Sequence, residues 1–449
     1  MDTTQASSGL SRSLQPRHMF MITIGGIIGA GLFVGSSSAI ATAGPAVVVS
    51  YALTGLLILL VMRMLGEMAV SNQGVRSFTE FARAGLGNWA GFSVGWLYWY
   101  FWGIVIPIEA IAGAKILHDE LGFTALTELQ TGSLLMLVMT AVNLMSARSY
   151  GEFEFWFSSI KVAAIIAFIA VAAAFAFGIT SSGNTFGNLV QHGGFAPFGW
   201  VAVLAAVTTV IFSMMGAEIV TIAAAESTEP AKAVARMTSS VITRIMLFYV
   251  LSLTLILAVV PWNTIVPPES PFTVALATMG IPAAGTIMSF IILTAVLSCL
   301  NSCFYICSRV LFVLAEKGDA PRWLVKTNER KVPARSVLLG AAFGFAGLYA
   351  EALFADVFSF LVNATGAIIL FIYVVMAVAQ WRLRRRMAAA GETPLLPMWG
   401  FPYLSWLAIA GMVAVLVAMA ATPALATQFW ASVVSVVVVL LAYLVRRRV

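Results

Sequence analysis

Long apolar runs alternate with short polar or basic connections over nearly the whole chain. Because about 20 consecutive apolar residues can cross a bilayer as a helix, each long run predicts one membrane span. We number the twelve predicted spans in chain order. Their ranges are 17–43, 45–66, 89–115, 131–147, 155–178, 199–225, 239–260, 282–314, 335–350, 355–380, 403–421 and 427–445.

Two of these spans are interrupted by similar glycine-containing segments. Span 1 contains GGIIGAG at 25–31, and span 6 contains FSMMGAE at 212–218. Glycine can simply permit close helix packing, which is the alternative for a single interrupted helix. An unwound stretch exposes backbone groups that lipid cannot satisfy, so it persists only where it lines a cavity. A matched pair of breaks therefore indicates the binding site of a transporter.

The order of the interrupted spans predicts an internal repeat. Spans 1 and 6 stand five apart, so the chain crosses the membrane five times between their starts, and this odd number gives the two halves opposite topology. The predicted division is a tail at 1–16, a first repeat of spans 1–5 at 17–178, a second repeat of spans 6–10 at 199–380, and spans 11 and 12 at 403–446. The expected fold is an all-α polytopic membrane protein with a 5+5 inverted repeat and two appended helices.

Composition and charge sharpen the membrane assignment. The chain is 61% hydrophobic and only 10% charged, with a mean hydropathy of +0.96, whereas soluble domains are about 25% charged. Of the 25 basic residues, only Lys115 and Lys161 fall outside one set of alternate loops and termini. The positive-inside rule then predicts both termini in the cytoplasm, with the spans in the cytoplasmic (inner) membrane. The net charge of +6 follows from this topology, so lipids and no nucleic acid are the expected partners.

The two breaks carry opposite electrostatic preferences. Free N–H groups at Gly29, Ala30 and Gly31 begin a half-helix, and that end attracts an anion such as a carboxylate. Carbonyl groups released at both breaks suit an ammonium group, so the predicted ligand is a zwitterion such as an amino acid. We expect the Phe212 ring to close over it. The candidate substrate-binding residues at the breaks are Ile27, Gly29, Ala30, Gly31, Phe212, Ser213, Met215 and Gly216.

Three ionisable residues inside predicted spans, Glu109, Lys161 and Glu218, are functional candidates because such residues are costly in hydrocarbon. A buried structural pair is the alternative. We expect Lys161 to lie between the span 1 break and the span 8 hydroxyls of Ser298 and Ser302, where its ammonium would repel a bound sodium ion. Burial makes a charged lysine costly, so proton coupling is favoured. Glu109 could bind the substrate amine or titrate as a second proton site.

No metal or organic cofactor is expected. Cys299, Cys303 and Cys307 recur every four residues on span 8, where one face of a straight helix cannot surround a tetrahedral metal. A packing stripe is the simpler interpretation of these cysteines. No histidine lies at membrane depth to serve as a relay or as the base of an enzyme, and we predict that the protein is not an enzyme.

Several segments resemble a known family. They are GGIIGAGLFVGSSSAIATAGPAVVVSY, RMLGEMAV, GWLYWYFWGIVIPIEA, YGEFEFWF, MMGAEIVTIAAAES, SCLNS and KGDAP. The chain resembles the amino acid–polyamine–organocation superfamily and, within it, the bacterial amino acid transporters. Its IPIEA and WLYWYFW segments are similar to those of γ-aminobutyrate permeases.

The resemblance implies a leucine-transporter-like fold and a secondary proton symporter that works by alternating access. It matches Gly29, Ala30 and Gly31 to the family's carboxylate-binding loop, and Lys161 to a lysine that stands in for sodium. The remaining matches, to backbone and gate positions around the substrate, are Ile27, Phe212, Ser213 and Met215. Ala30 departs from the frequent Gly-Ser-Gly form of the loop, so a hydroxyl contact to the carboxylate is missing.

The function expected is proton-coupled import of a zwitterionic amino acid, with γ-aminobutyrate as the first candidate. An exchanger, or a proton symporter for an aromatic or small neutral amino acid, is the nearest alternative. The chain contains no G-x-x-x-x-G-K-[ST] loop, which argues against an ATP-driven pump. Two isolated breaks are also a poor basis for a continuous channel pore. Substrate breadth, stoichiometry and oligomeric state stay open, with a monomer as the simplest case.

Overall fold

The computed structural model describes residues 15, 17–18, 20–21, 28–71, 78–180, 183–216, 218–219, 245–267, 269–354 and 357–446. All regular structure in these ranges is helical. Eight helical stretches of the described residues are long and apolar enough to cross a membrane, and one of them joins spans 1 and 2. Two further apolar helices, Gly199–Met214 and Met246–Val259, are shorter. The pattern agrees with the predicted twelve spans.

The helices follow the predicted order. In the first half, span 1 is described as Ala30–Phe33 and Gly35–Ala43, span 2 as Val47–Ser71, span 3 as Asn88–Lys115, span 4 as Glu128–Asn143 and span 5 as Ala147–Ala176. In the second half, span 6 is Gly199–Met214, span 7 is the π-helical turn Ile245–Leu251 with Ser252–Val259, span 8 is Pro282–Glu316, span 9 is Ala334–Leu353 and span 10 is Val357–Ala389. Span 11 is Tyr403–Ala421 and span 12 is Pro423–Arg446.

Short helical pieces connect several spans. Phe78–Leu86 precedes span 3, Asn188–Gln191 precedes span 6, and Pro271–Thr278 precedes span 8. The turns Gly44–Ala46, Ile116–Glu120, Trp262–Thr264 and Arg322–Val325 complete the described helical elements. The predicted division into repeats at 17–178 and 199–380 stays a prediction.

Span 5 begins two turns before its predicted start at residue 155. Its first residue is Ala147, and the preceding Ser146 caps the helix by accepting a hydrogen bond from the Ser149 N–H at 3.0 Å. Glu152 and Glu154 look like loop residues in the sequence, but they lie within this helix. The correction matters because it moves Glu154 inside the helix, where its side chain is fully buried.

Both predicted breaks are present in the described residues. Gly29 has an extended backbone, with φ −137° and ψ −150°, immediately before the helix Ala30–Phe33. The helix of span 6 that precedes the break ends at Met214, and Met215 is extended with φ −65° and ψ 158°. Gly216 then has φ +102°, a conformation that favours glycine. Ile27 lies outside the described residues, so its predicted role at the break has no structural description.

The two breaks are in direct backbone contact. A Cβ atom on Gly31 would lie 2.6 Å from the Ser213 Cα, and one on Gly29 would lie 2.7 Å from the Cys299 Cβ. Contacts below about 3 Å leave no room for a side chain at either glycine. The absence of side chains therefore lets spans 1, 6 and 8 meet at one point.

Span 3 passes beside this meeting point and is almost entirely buried. Pro107 lies inside it, where a proline removes a helical hydrogen bond and favours a bend. Span 9 approaches the proline closely, because a Cβ on Gly347 would lie 2.6 Å from the Pro107 Cγ. This packing holds Glu109, two residues further along span 3, against the break.

The remaining helices surround this centre. Span 8 packs along spans 3 and 5, span 10 along span 3, and span 6 along spans 1 and 2. Spans 11 and 12 pack against each other and against span 10. In the most apolar stretch of span 12, only 6% of the residues are buried inside the protein, compared with 83% for span 3. Span 12 therefore offers most of its apolar surface to lipid, whereas the polar groups of the centre are shielded from lipid.

Candidate functional site

A small cavity lies between the two breaks. Its lining residues are Gly31, Phe101, Trp102, Val105, Glu109, Phe212, Met215 and Cys299. The cavity has a volume of about 20 Å³, which is room for one water molecule. Four of the predicted site residues, Gly31, Glu109, Phe212 and Met215, thus meet at one space. An amino acid could enter only if the surrounding side chains moved apart.

The cavity side of the span 1 break holds a buried carboxylate. The Ala30 N–H donates a hydrogen bond to Glu109 Oε2 at 3.2 Å, and Glu109 is 1% exposed. Ala30 is the first residue of its half-helix, so this N–H carries the positive end of the helix dipole. The Glu109 carboxyl group therefore binds the Ala30 N–H, which the sequence analysis assigned to a substrate carboxylate.

The other side of the same break holds a buried ammonium group. Lys161 Nζ donates to the Ile28 carbonyl at 3.0 Å and to Ser298 Oγ at 2.8 Å. Lys161 thus lies where it was expected, between the span 1 break and the hydroxyl of Ser298. The second expected partner, Ser302, hydrogen bonds with Glu154 and Tyr150.

Glu154 is the buried acid that the sequence interpretation missed. Its Oε1 lies 3.9 Å from Lys161 Nζ, and neither side chain is exposed. The Ser158 hydroxyl donates to Oε1 at 2.8 Å, and the Ser298 hydroxyl donates to Oε1 at 2.7 Å and to Oε2 at 2.8 Å. Placing the start of span 5 at residue 155 left Glu154 just outside the membrane. The spacing of seven residues between Glu154 and Lys161 was the available signal, because it places both on one helix face.

The span 6 break is stabilised by its own network. The Ser213 carbonyl accepts from the Tyr249 hydroxyl at 2.7 Å, and the Gly216 N–H donates to Glu218 Oε2 at 3.2 Å. Tyr98 and Tyr373 donate to the same carboxylate at 3.1 and 3.0 Å. Buried polar groups need such partners, and the contacts favour the structural alternative for Glu218.

Of the three cysteines, Cys299 lines the cavity, while Cys303 and Cys307 are fully buried in the packing of span 8. Among the described residues, no group of three or more His, Cys, Asp or Glu side chains could hold a metal ion. The polar chemistry of the described site therefore comes from backbone groups, hydroxyls and the three ionisable side chains of Glu109, Lys161 and Glu154.

A larger cavity lies about one helical turn beyond the small one. It has a volume of about 300 Å³, and its lining includes Val34 and Ala112, each three residues past a residue of the small cavity. Lys115, Asp119, Glu120 and Glu269 also line it. Lys115 belongs to the loops predicted to lie outside the cell, so this cavity lies on that predicted side of the small one.

Comparison with known proteins decides the family. The model of the family described as amino acid permease matches residues 18–448. The chain belongs to the amino acid permease family. The match covers all twelve spans, so the resemblance inferred from the sequence is confirmed, and this permease is a multi-pass membrane transport protein.

Individual relatives are similar over nearly their full length. The permease is 46% identical to the gamma-aminobutyric acid permease of Bacillus subtilis, over 99% of this chain and 95% of that protein. It is 38% identical to the aromatic amino acid transport protein AroP of Corynebacterium glutamicum, over 93% and 92% of the two chains. Among solved structures, a manganese transporter mutant of Eremococcus coleocola matches with a TM-score of 0.62, 11% identity and coverage of 100% and 99%. The last similarity supports the leucine-transporter-like fold.

Proposed function

We propose that the permease imports a zwitterionic amino acid together with protons, and that γ-aminobutyrate is its main substrate. The observation that carries the proposal is the span 1 break, whose two ends face opposite charges at 3.0 and 3.2 Å beside a cavity. The Bacillus subtilis gamma-aminobutyric acid permease, at 46% identity over 99% of this chain, supports the choice of substrate.

Glu109 occupies the position that the substrate carboxylate would take. The Ala30 N–H that it occupies would receive the incoming carboxylate, together with the neighbouring Gly31 N–H. Two carboxylates at one N–H group repel each other. The side chain of Glu109 then turns to the substrate ammonium, or takes up a proton, which are the two roles that the sequence left open.

Entry of the substrate requires the small cavity to expand. Phe212, Trp102 and Phe101 line it on the aromatic side, and their rings can rotate away more readily than the backbone of the two breaks. Phe212 belongs to the broken span 6, so movement of its ring is coupled to movement of that break. Closure of the Phe212 ring over the bound substrate supports an occluded step in alternating access.

Lys161 supports protons as the coupling ion. Its ammonium lies 3.0 Å from the Ile28 carbonyl and 2.8 Å from the Ser298 hydroxyl, and carbonyl and hydroxyl oxygens are the ligands that a sodium ion would use. A second cation there would be strongly repelled in a low-dielectric interior. The proton on Lys161 takes the part that sodium plays in a sodium-coupled transporter.

The proposed location is the inner membrane, with both termini in the cytoplasm, as the distribution of basic residues favours. The protein acts as a monomer in the simplest case. An alternative substrate class, the aromatic amino acids, is favoured by the aromatic lining of the cavity and by the similarity to AroP at 38% identity.

The test is a competition assay in proteoliposomes. Uptake of labelled γ-aminobutyrate is measured with and without an imposed proton gradient, in the presence of a panel of unlabelled amino acids. We expect accumulation only with the inward proton gradient and the strongest competition from γ-aminobutyrate. Uptake that depends on internal substrate and ignores the gradient would identify an exchanger, and stronger competition by an aromatic amino acid would identify the alternative substrate.

A further inference from the structure

A buried row of hydrogen-bonded polar side chains leads away from the cavity along spans 5 and 8. It starts at Lys161, continues through Ser298, Glu154 and Ser302, and ends at Tyr150. Each of these five residues is at most 1% exposed. None of them is among the residues that line the cavity between the breaks. The row therefore has no evident part in holding the substrate.

Each serine hydroxyl in this row has polar partners on two sides. Ser298 accepts from Lys161 and donates to the Glu154 carboxyl group. Ser302 lies 3.3 Å from Glu154 Oε2 and 3.1 Å from the Tyr150 hydroxyl, and in the second contact either hydroxyl can be the donor. A hydroxyl can accept one hydrogen bond while it donates another, so each serine can take up a proton on one side and release one on the other.

Tyr150 brings the row close to one end of the helices. It lies one turn from the start of span 5 at Ala147, an end that the basic residues place in the cytoplasm. Its ring stacks on Tyr305, with centroids 4.0 Å apart, and Arg309 lies 4.0 Å from the Tyr305 ring. The row therefore runs from the span 1 break to Tyr150, one turn from the predicted cytoplasmic end, and no hydrogen bond within it is longer than 3.3 Å.

We propose that Glu154 is the proton acceptor for Lys161 and that Ser298, Ser302 and Tyr150 carry the proton to the cytoplasm. The proposal rests on the proton-coupled function proposed above. It adds a release route to that function and assigns the route to residues that do not touch the substrate cavity.

The transfer balances in two steps. An N–H bond of Lys161 breaks as Ser298 receives that proton, and Ser298 passes its own hydrogen to Glu154, which leaves a neutral amine and a neutral carboxylic acid. Glu154 then gives its proton to Ser302 in the arrangement where Ser302 donates to Tyr150, so the Ser302 hydrogen passes to Tyr150. Tyr150 is buried, so its hydrogen passes to water only when the predicted cytoplasmic end opens. Neutral Lys161 holds the Ile28 carbonyl less strongly, which frees the break to move.

Several charged and titratable groups lie on or beside the route. The route itself contains Lys161, Glu154 and Tyr150 of span 5. The packed spans add Glu109, Cys299, Cys303 and Arg309. The positive charge of Arg309 near the Tyr150 end repels a proton there and raises the barrier to proton movement in both directions. The direction of release is therefore set by the inward proton gradient.

The experiment separates net proton-coupled accumulation from exchange. Glu154→Gln is reconstituted beside the wild type and beside the control Glu152→Gln, which lies on the same span but is partly exposed and pairs with Arg17. Accumulation is measured under an imposed pH gradient, and exchange of labelled for unlabelled substrate is measured at equal pH. We expect Glu154→Gln to lose at least about tenfold of its accumulation, equivalent to about 1.4 kcal/mol, and to keep exchange. We expect Glu152→Gln to keep both.

Further variants keep the test decisive if Glu154→Gln does not fold. Ser298→Ala removes one hydroxyl of the route and is expected to lose accumulation in the same way, and Tyr150→Phe is expected to slow it. Gradient-driven accumulation by these variants with the pH profile of the wild type would overturn the relay, as would loss of exchange in a folded variant. A wild type that ignores the gradient would instead overturn the proton-coupled function itself.

Discussion

The two sides of the span 1 break differ in what they face. Two residues apart along the chain, the Ile28 carbonyl accepts from an ammonium group and the Ala30 N–H donates to a carboxylate. The Ala30 N–H begins a half-helix, whose dipole favours an anion, whereas the Ile28 carbonyl is an acceptor that favours a cation. A single interruption of the helix therefore creates both a cation site and an anion site.

The two sites also differ in how far the protein encloses them. Glu109, on the Ala30 side, lines a cavity with aromatic walls. Lys161, on the Ile28 side, is enclosed by Ser298 and the carboxylate of Glu154. The cavity side can exchange its occupant, whereas the enclosed side can change only its protonation. This difference suggests that one break serves substrate binding and ion coupling through separate groups.

The largest expected effect comes from Lys161→Ala, which empties the enclosed side. We expect accumulation driven by a pH gradient to be abolished, because the Ile28 carbonyl and Glu154 lose their positive partner. Removing one member of a buried ion pair also costs about 3 kcal/mol or more of stability. Uptake into proteoliposomes measures the first effect, and thermal unfolding followed by tryptophan fluorescence measures the second.

Lys317→Ala is the control for that variant. Lys317 lies outside the enclosed cluster, is exposed and pairs with Glu80 at 2.9 Å, so its loss should change accumulation little. Unchanged accumulation in folded Lys161→Ala would refute the assignment of coupling to the enclosed side. An equal loss in both variants would mean that the assay reports general damage.

A smaller effect is expected from Gly31→Ala, which acts on the contact between the two breaks. The new Cβ would lie 2.6 Å from the Ser213 Cα, and backbone cannot yield as a side chain can. A displacement of about 1 Å in a binding geometry can cost on the order of a hundredfold. We expect a loss of that order in transport rate, measured as initial uptake at low substrate concentration.

Gly35→Ala provides a matched control one turn further along span 1. The nearest atom to its new Cβ is the Ala30 carbonyl oxygen at 3.7 Å, an ordinary contact. Replacing glycine by alanine in a helix is otherwise favourable. If the two variants transported equally well, the close contact of the breaks would not be needed for function.

The fold was predictable from the chain because its signals are local and strong. Apolar runs separated by basic loops predicted the spans, and the two glycine-containing interruptions predicted the breaks at Gly29 and Gly216. Lys161 was recognisable for the same reason, as the one basic residue in the middle of an apolar run. Each of these features depends on a few neighbouring residues and on the bilayer thickness.

The groups that surround Lys161 were harder to predict. The motif YGEFEFWF contains Glu154, but two acids near the start of an apolar run look like the end of a helix at the membrane surface. Their separation into a surface residue, Glu152, and a buried one, Glu154, depends on which face meets span 8. Likewise, the contact of Glu109 with the Ala30 N–H spans 79 positions of sequence and follows only from packing.

The smallest expected effect comes from Glu109→Gln, which alters the cavity side. Glutamine keeps an oxygen for the Ala30 N–H but carries no charge to attract an ammonium group. A hydrogen bond to a charged group contributes about 1.5–3 kcal/mol, so loss of the charge should weaken γ-aminobutyrate binding by about tenfold or more. Binding is measured by displacement of labelled substrate at equal pH, with exposed Glu128→Gln as the control. Normal affinity in Glu109→Gln would exclude Glu109 as the amine partner, and an altered pH profile of uptake would then assign it the second proton.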